Sequence, residues 1–296
     1  MKSSKTMRTI FGVLLMLLLF SIMLACAGKK PAWGDEKSGY ILTYRFQPDQ
    51  VLRYETDQKQ TMTQEMMGHS SEVNTQTYNV FFLKGNGFND QKNLVTKIGF
   101  DTLYIATKVR GQEIKPDASI IVGKEFEMIF SPQGKKIAFN DPESIKVDFG
   151  PMAGKRGAED FFRNPLPTLP SQPVKFGDSW TDEDSTQMEQ SGMDITVKTK
   201  TVNTLEKVEV VNGIECLKVN AKVTGSLDGS GNQMGADIYF EGDLDGSSVW
   251  YFDFKNGKLI QVENKMLMEG TVAVSGAQNM TIPMTQESTT KVRLIK

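Results

Sequence analysis

Alternation of apolar and polar residues with a period of two is the feature that most limits how this chain can fold. Between Tyr40 and Phe46 every second residue is aromatic or aliphatic, and the same pattern returns at Ile195 and Val197. A β-strand points successive side chains to opposite faces, so this pattern predicts strands with one apolar and one polar face. Helix-like spacing is confined to residues 141–163. The chain is therefore predicted to be all-β with a minor α component, as short helices near 141–163.

A segment rich in proline divides the chain. Residues 164–175 contain Pro165, Pro167, Pro170 and Pro173, which fix φ and remove backbone hydrogen-bond donors. Each proline also keeps the preceding residue out of the helical region. No regular element can continue through this segment, which we call the joint. It separates a first β unit, residues 40–163, from a second β unit, residues 176–296.

The two units share an order of motifs. Phe176-Gly-Asp-Ser-Trp180 opens the second unit much as residues 46–54 open the first, and a hairpin turn with a glycine follows in each, at Gly134 and Gly257. Such similarity predicts a degenerate internal duplication. We therefore expect two related antiparallel β units whose sheets curve into a sandwich or an incomplete barrel. Residues 225–235 are rich in glycine and are expected to form a loop.

Residues 1–25 have the pattern of a bacterial export signal. Lys2, Lys5 and Arg8 precede an apolar run that ends at Met23-Leu-Ala-Cys26. This ending resembles the lipobox, in which signal peptidase cuts before a cysteine that becomes acylated. We therefore predict lipidation of Cys26, with a plain cleaved signal peptide or an uncleaved anchor as the alternatives. Residues 26–39 are small, polar and unpatterned, which is typical of a tether.

An acylated Cys26 makes the membrane the first expected partner. Each buried methylene of an acyl chain contributes about 0.8 kcal/mol, so two or three chains hold a protein firmly on a membrane. Ala27 follows the cysteine, which favours the outer membrane in bacteria that use aspartate there for inner-membrane retention. We expect a protein of the bacterial cell envelope that faces the periplasm. The net charge of -2 argues against nucleic acid as a partner.

One cysteine remains in the mature chain, and the whole sequence holds a single histidine. Cys216 lies in an alternating strand pattern with no helix start to lower its pKa, so a buried, inert thiol is expected rather than a reactive one. His69 lies among polar turn residues, which does not suit a catalytic triad. One histidine and one cysteine do not complete a zinc site. We therefore expect no enzyme activity and no cofactor.

Methionines gather at one predicted turn of each unit. Thioethers with one imidazole suit Cu(I), so Met62, Met66, Met67 and His69 form a candidate copper site. Methionine is also a flexible apolar residue of adaptable binding surfaces, which makes these turns the candidate lip of a ligand cavity. Plain packing or solvent exposure is the third interpretation. The candidate ligand-binding residues are Met66, Met67, Met188 and Met193.

Four motifs stand out: Tyr44-Arg-Phe-Gln-Pro-Asp-Gln-Val-Leu-Arg-Tyr54, the turn at Gly68, Phe130-Ser-Pro-Gln-Gly134, and Leu166-Pro-Thr-Leu-Pro-Ser-Gln-Pro-Val-Lys-Phe-Gly-Asp-Ser-Trp180. Together they resemble a family of bacterial exported proteins and lipoproteins of unknown function. The resemblance covers most of the mature chain. Its motifs are structural, so it implies a β-rich fold and offers no catalytic residues to carry over. A looser similarity is to envelope carriers of lipids and lipoproteins, whose curved sheet and lid helices form an apolar half-barrel.

Taken together, these features favour a lipid-anchored, non-enzymatic envelope protein. Its expected role is to bind an apolar ligand or a lipidated partner between its β-sheets. The alternative is a structural or assembly lipoprotein that contacts other envelope proteins or peptidoglycan. Binding of Cu(I) through the Met-rich turns is the third hypothesis.

The lipidation hypothesis can be tested with one substitution and a matched control. Cys26→Ser removes the sulfur that carries the first acyl group, so incorporation of radiolabelled palmitate by cells should fall to background. Cys216→Ser leaves the proposed acylation site intact and should label like the parent protein. Metabolic labelling followed by immunoprecipitation measures both variants. Undiminished labelling of the Cys26→Ser variant contradicts the hypothesis.

Overall fold

A computed structural model describes residues 31–66, 68–150, 154–190, 192–233, 235–276 and 279–295. The predicted signal peptide of residues 1–25, Cys26 and Met67 lie outside these residues. Within them, one short helix, α1, covers Ala158–Phe161. The strands are β1 (Gly34–Asp35), β2 (Gly39–Tyr40), β3 (Val51–Met66), β4 (His69–Phe88), β5 (Leu94–Val109), β6 (Gln112–Ile114), β7 (Phe126–Phe130), β8 (Lys136–Asn140), β9 (Lys146–Asp148), β10 (Lys155–Gly157), β11 (Ser179–Gln190), β12 (Met193–Val211), β13 (Ile214–Gln233), β14 (Ala236–Asp253), β15 (Lys258–Ser275) and β16 (Met280–Ile295). In this part of the chain no helix has the length and apolar character needed to cross a membrane.

Most strands belong to one antiparallel sheet of 12 strands. Its order is β11–β12–β13–β14–β15–β16–β3–β4–β5–β7–β8, and β6 pairs with β5. Within this sheet, and apart from β6, strands that follow one another in a unit are neighbours. β16 pairs with β3 and so joins the second unit to the first. The predicted all-β class with a minor helix is confirmed. The sheet is open, with β11 and β8 at its two edges.

Strand pairing divides the sheet into two faces. Residues paired across strands share a face, so Trp250, Val262 and Val292 lie on the same side. We call this side the inner face, because it carries the buried core. The opposite, outer face carries charged residues such as Glu263 and Lys291, whose Oε1 and Nζ atoms are 3.4 Å apart. The period-two pattern therefore separates an apolar face from a charged one.

One end of the sheet, which we call the base, holds the hydrophobic core. Aromatic side chains dominate it, and Tyr44, Tyr54, Phe162, Trp250 and Phe252 are almost fully buried. The ring of Tyr44 meets that of Phe252 edge-on, with their centroids 5.3 Å apart. Aromatic rings of this size contribute most of the buried apolar area in a core.

Two segments before β3 pack at the base without joining the large sheet. Residues 40–46 were expected to form a strand, and they alternate in burial but are extended outside the sheet. Their backbone bonds to turns instead: the N–H of Tyr44 donates to the Pro132 carbonyl at 2.9 Å, and that of Arg45 to the Gly257 carbonyl at 3.0 Å. Residues 31–39, the end of the expected tether, contact the base through pairing of β1 with β2.

The joint lies between the two edges of the sheet at the base. On one side, the Leu169 N–H donates to the Gln133 carbonyl at 2.8 Å, in the turn between β7 and β8. On the other side, the indole N–H of Trp180 donates to the Thr168 carbonyl at 3.0 Å. The Thr168 hydroxyl in turn donates to Asp182 Oδ2 on β11 at 3.0 Å. The joint therefore connects the β8 edge to the β11 edge.

Of the short helices expected near residues 141–163, one forms in the described residues. It is α1, whereas the segment that begins at Asp141 is a turn. The Asp141 carboxylate accepts the N–H groups of Glu143 at 3.2 Å and Ile145 at 2.7 Å. Such side-chain bonds compete with helix formation. Ile145 and Val147 are then buried in an extended segment in which β9 pairs with β10.

The prediction of a glycine-rich loop at residues 225–235 is wrong. β13 runs through this segment as far as Gln233 and pairs with strands on both sides. Close approach of neighbouring backbones explains the glycines. A Cβ on Gly225 falls 2.2 Å from the carbonyl oxygen of Lys198, and one on Gly270 falls 2.4 Å from that of Glu241. Both glycines lie on the inner face, so the missing Cβ atoms allow tight curvature towards that face.

Tyr44→Phe tests how firmly the joint is held. The Tyr44 hydroxyl donates to the Pro167 carbonyl at 2.9 Å. Its removal leaves this carbonyl without that partner, so the free energy of unfolding should fall by about 1–3 kcal/mol. Urea denaturation followed by tryptophan fluorescence measures the change. Tyr239→Phe changes an exposed ring and should shift stability by less than about 0.5 kcal/mol. A Tyr44→Phe variant as stable as the parent contradicts the role of this bond.

Candidate functional site

Above the base, the inner face carries a band of polar side chains. Register pairs Asn203 with Ala221, Ala221 with Ser248, and Ser248 with Asn264. The next row along the strands, farther from the base, pairs Asp182 with Thr201. From β11 to β3, the polar members of these two rows form what we call the polar belt: Gln58, Gln60, Asp182, Thr201, Asn203, Ser248, Asn264, Ser288 and Thr290.

Still farther from the base, next to the hairpin turns at the opposite end, the inner face becomes apolar. Register pairs Ile238 with Val274, and Val274 with Met280. Apart from Phe240, which is buried, these side chains are half-buried and keep accessible apolar surface. We call this set the apolar rim: Met188, Met193, Ile195, Ile238, Phe240, Val272, Val274, Met280 and Ile282.

Methionines are concentrated on the inner face. Register places Met62, Met66, Met188, Met193, Met266, Met268, Met280 and Met284 there. Of the predicted ligand-binding residues, Met66, Met188 and Met193 therefore share one face, on two separate hairpins, and Met67 lies outside the described residues. Met266, Met268, Met280 and Met284 of β15 and β16 were not predicted, because they do not lie at the turns that mark the other methionines. The alternation that continues from Val262 along β15 would have placed them.

A cavity of about 510 Å³ lies between the joint and the polar belt. Residues 163–168, Lys135 and Lys136 line one side of it. Inner-face residues of six adjacent strands line the other side, from Asp182 of β11 to Val292 of β16. In a flat sheet these six strands span about 24 Å. Because they all border one cavity, the sheet must curve around it. The volume suits a small-molecule ligand.

Cationic side chains line the cavity on the side of the joint. Lys136 Nζ is 2.7 Å from Glu159 Oε1, and Arg163 Nη2 is 2.6 Å from Asp160 Oδ1. Both carboxylates belong to α1, which thus holds two of the cations in place. Lys135 is exposed beside them in the same lining. We call Lys135, Lys136 and Arg163 the basic wall.

Two carboxylates line the cavity on the side of β11. Asp182 and Asp184 both face inward, because two residues along a strand return to the same face. Asp184 Oδ2 accepts the Thr186 hydroxyl at 3.1 Å, and neither aspartate forms an ion pair within the described residues. The two walls approach each other, since Arg163 Nη1 lies 3.6 Å from Met188 Sδ on β11. We call Asp182 and Asp184 the acidic wall.

The candidate copper ligands lie at the β3–β4 hairpin. Met66 pairs directly with His69, and Met62 lies on the same face. The side-chain amide of Gln64 contacts two thioethers, at 3.8 Å from Met62 Sδ and 3.5 Å from Met284 Sδ. Across the described ranges, no group of three or more His, Cys, Asp and Glu residues could hold a metal ion. Binding of Cu(I) by thioethers is a different arrangement and stays a prediction.

Cys216 is a buried thiol of β13. Its side chain has no exposed surface, and its Sγ donates to the Ile214 carbonyl at 3.4 Å. Burial raises the pKa of Cys216 to about 12, and the negative charge of Asp253 acts in the same direction. The thiolate is the nucleophilic form, so this thiol is unreactive at neutral pH.

Comparison with known proteins identifies no family for this chain. No protein-family model matches the chain, and no curated protein matches it. The solved structure of Pseudomonas aeruginosa OccK5 (OpdH) has 7% identity and a TM-score of 0.28, over 85% of this chain and 100% of that one. OccK2 (OpdF) from the same organism, in complex with glucuronate, has 9% identity, the same TM-score of 0.28 and the same coverage, 85% and 100%. A DUF1329 family protein from Desulfovibrio piger has 13% identity and a TM-score of 0.16, over 84% and 85% of the two chains. Scores this low establish neither a family nor a function.

The raised pKa predicts slow chemistry at Cys216. In the Cys26→Ser variant it is the remaining thiol, and a disulfide reagent such as DTNB needs its thiolate. At pH 8 the thiolate fraction of a group with this pKa is about 10⁻⁴, so folded protein should react at least about 100-fold more slowly than urea-unfolded protein. The rate should rise with pH, because the thiolate fraction rises. Equal rates for folded and unfolded protein contradict the burial of this thiol.

Proposed function

We propose that this protein is a lipid-anchored, non-enzymatic protein of the bacterial cell envelope. It binds an apolar ligand, or the acyl chains of a lipidated partner, on the inner face of its curved sheet. The observation that supports this most is the apolar rim, a set of half-buried aliphatic and methionine side chains around the buried Phe240. The rim lies on the same inner face as the 510 Å³ cavity, farther along the strands that line it.

The contrast between the two faces supports an inner-face site. Apolar surface removed from water contributes roughly 25 cal/mol per Å², so a ligand that covers the rim gains from each side chain it buries. Methionine adapts its shape to different apolar partners at low cost. The outer face instead carries ion pairs such as Lys200 with Glu183, whose Nζ and Oε1 atoms are 3.2 Å apart. A charged outer face and an apolar inner rim suit a domain that stays hydrated outside and binds an apolar ligand inside.

The proposed anchor fits this arrangement. The described chain begins at the base, where the Gly34 N–H donates to the Pro31 carbonyl at 2.9 Å and the Ile41 N–H to the Trp33 carbonyl at 2.9 Å. Cys26 precedes Pro31 by so few residues that they span at most about 18 Å. Acyl chains on Cys26 therefore hold the base next to the membrane. The apolar rim, at the opposite end of the strands, then points away from that membrane.

The double variant Ile238→Ser with Val274→Ser tests this site. The two side chains form one cross-strand pair on the rim. Their loss removes apolar contacts worth about 1 kcal/mol each, so affinity for the dye N-phenyl-1-naphthylamine should fall by about 10-fold or more. Fluorescence titration measures the affinity, and native mass spectrometry of protein purified from membranes measures co-purified lipid.

The matched control for this experiment is Tyr239→Ser. Tyr239 is the next residue of the same strand, but it points to the outer face and is 54% exposed. It should leave dye affinity and co-purified lipid unchanged. A parent protein that retains no lipid and binds no dye contradicts the proposed function and favours the structural or assembly lipoprotein.

A further inference from the structure

The cavity and the apolar rim have different chemistry. The cavity borders the polar belt, and its lining includes Asn203, Ser248 and Asn264 as well as the two charged walls. The rim lies farther along the same strands, away from the base. A ligand that occupies both must be polar at one end and apolar at the other. A purely apolar ligand in the cavity would remove the polar belt from water without replacing its hydrogen bonds, which is unfavourable.

We infer, on the premise of the proposed function, that the ligand is an amphiphile with a zwitterionic head group. Its positive group binds at the acidic wall of Asp182 and Asp184, and its negative group binds at the basic wall of Lys135, Lys136 and Arg163. Its acyl chain extends along the inner face to the apolar rim. A phospholipid or lysophospholipid that carries both an ammonium and a phosphate group has this chemistry.

The geometry of the acidic wall supports the positive group. Asp182 and Asp184 lie two residues apart on β11, so their attachment points are about 7 Å apart on one face. Asp182 already accepts the Thr168 hydroxyl at 3.0 Å, and each carboxylate can accept further hydrogen bonds. An ammonium group supplies donors and charge for both. A head group with a negative charge alone leaves these carboxylates facing a like charge.

The geometry of the basic wall supports the negative group. Lys136 and Arg163 are fixed by their ion pairs with Glu159 and Asp160, at 2.7 Å and 2.6 Å, and therefore present their remaining donors from defined positions. Lys135 adds an exposed ammonium group at the same side of the cavity. Guanidinium and ammonium groups are the usual protein partners of phosphate oxygens. Opposite charges in the lining of one cavity match a dipolar head group.

Two lysophospholipids with identical acyl chains test this inference. Lysophosphatidylethanolamine is zwitterionic, whereas lysophosphatidylglycerol carries the phosphate charge alone. Isothermal titration calorimetry of the parent protein, with both lipids below their micellar concentrations, should show tighter binding of the zwitterionic lipid by about fivefold. This is the effect expected of one partly exposed ion pair. Equal affinities, or tighter binding of the anionic lipid, overturn the head-group assignment.

Substitutions at each wall locate the two groups. Asp182→Asn with Asp184→Asn should abolish the preference, by weakening binding of the zwitterionic lipid and leaving the anionic lipid unchanged or stronger. Lys135→Gln should weaken binding of both lipids.

Glu183→Gln is the matched control, because Glu183 lies between the two aspartates in sequence and pairs with Lys200 on the outer face. A preference that persists in the double aspartate variant, verified as folded by circular dichroism, also overturns the assignment.

The outcomes separate this inference from the function on which it rests. If the parent protein binds neither lipid nor N-phenyl-1-naphthylamine, the proposed binding function itself fails. If it binds the dye but neither lipid, the function survives and the inference of an amphiphilic ligand is overturned. If it binds both lipids with the same affinity, the function survives and only the assignment of the head group fails.

Discussion

The hydrogen bonds that hold the joint between the two sheet edges are the constraint on which the rest of the structure depends. An open sheet of 12 strands has two free edges and no ladder of its own to keep them near each other. Here the joint is bonded to the turn before β8 through Leu169, and to β11 through Thr168 and Trp180. Its prolines favour this role, because a chain segment with fixed φ angles loses little entropy when it is ordered.

The curvature set by the joint gives the two faces their separate properties. Inward bending brings inner-face residues of six strands, β11 to β16, around one cavity, and inner-face glycines such as Gly225 permit the bend. The outer face carries ion pairs that are mostly exposed and each contribute about 0–1 kcal/mol. They contribute little to stability, but they keep the outer surface hydrated. The inner face, by contrast, combines a core at the base, a polar belt and an apolar rim. The inner face is therefore the surface on which we expect a ligand to bind.

Period-two alternation was enough to predict the fold class, and the proline pattern was enough to locate the joint. Both are local properties of the backbone, so a single sequence contains them. The segment with which a strand forms hydrogen bonds is not a local property. Residues 40–46 alternate like a strand, yet the N–H groups of Tyr44 and Arg45 donate to the carbonyls of Pro132 and Gly257 in two turns. The glycines near Gly225 indicated a loop because glycine is flexible in isolation. Glycine is needed there because the neighbouring strand approaches closely, and this can be recognised only once the strand register is known.

The candidate site was only partly predictable for the same reason. Met66, Met188 and Met193 were recognisable as apolar residues near turns, and all three do lie on the inner face. The acidic wall and the basic wall were not predicted, because they come from opposite edges of the sheet and meet only through its curvature. Asp182 lies on β11 and Lys136 on β8, which are the first and last strands in the order of the sheet. Both residues nevertheless border the same cavity.

The most direct test of ligand binding on the inner face is photo-crosslinking of a lipid that carries a diazirine at the end of its acyl chain, followed by peptide mass mapping. The crosslinks should fall on inner-face residues of the apolar rim, in β11, β12, β14, β15 and β16. Crosslinks confined to outer-face residues of the same strands, or to the turns at the base, would show that the inner face is not the binding surface.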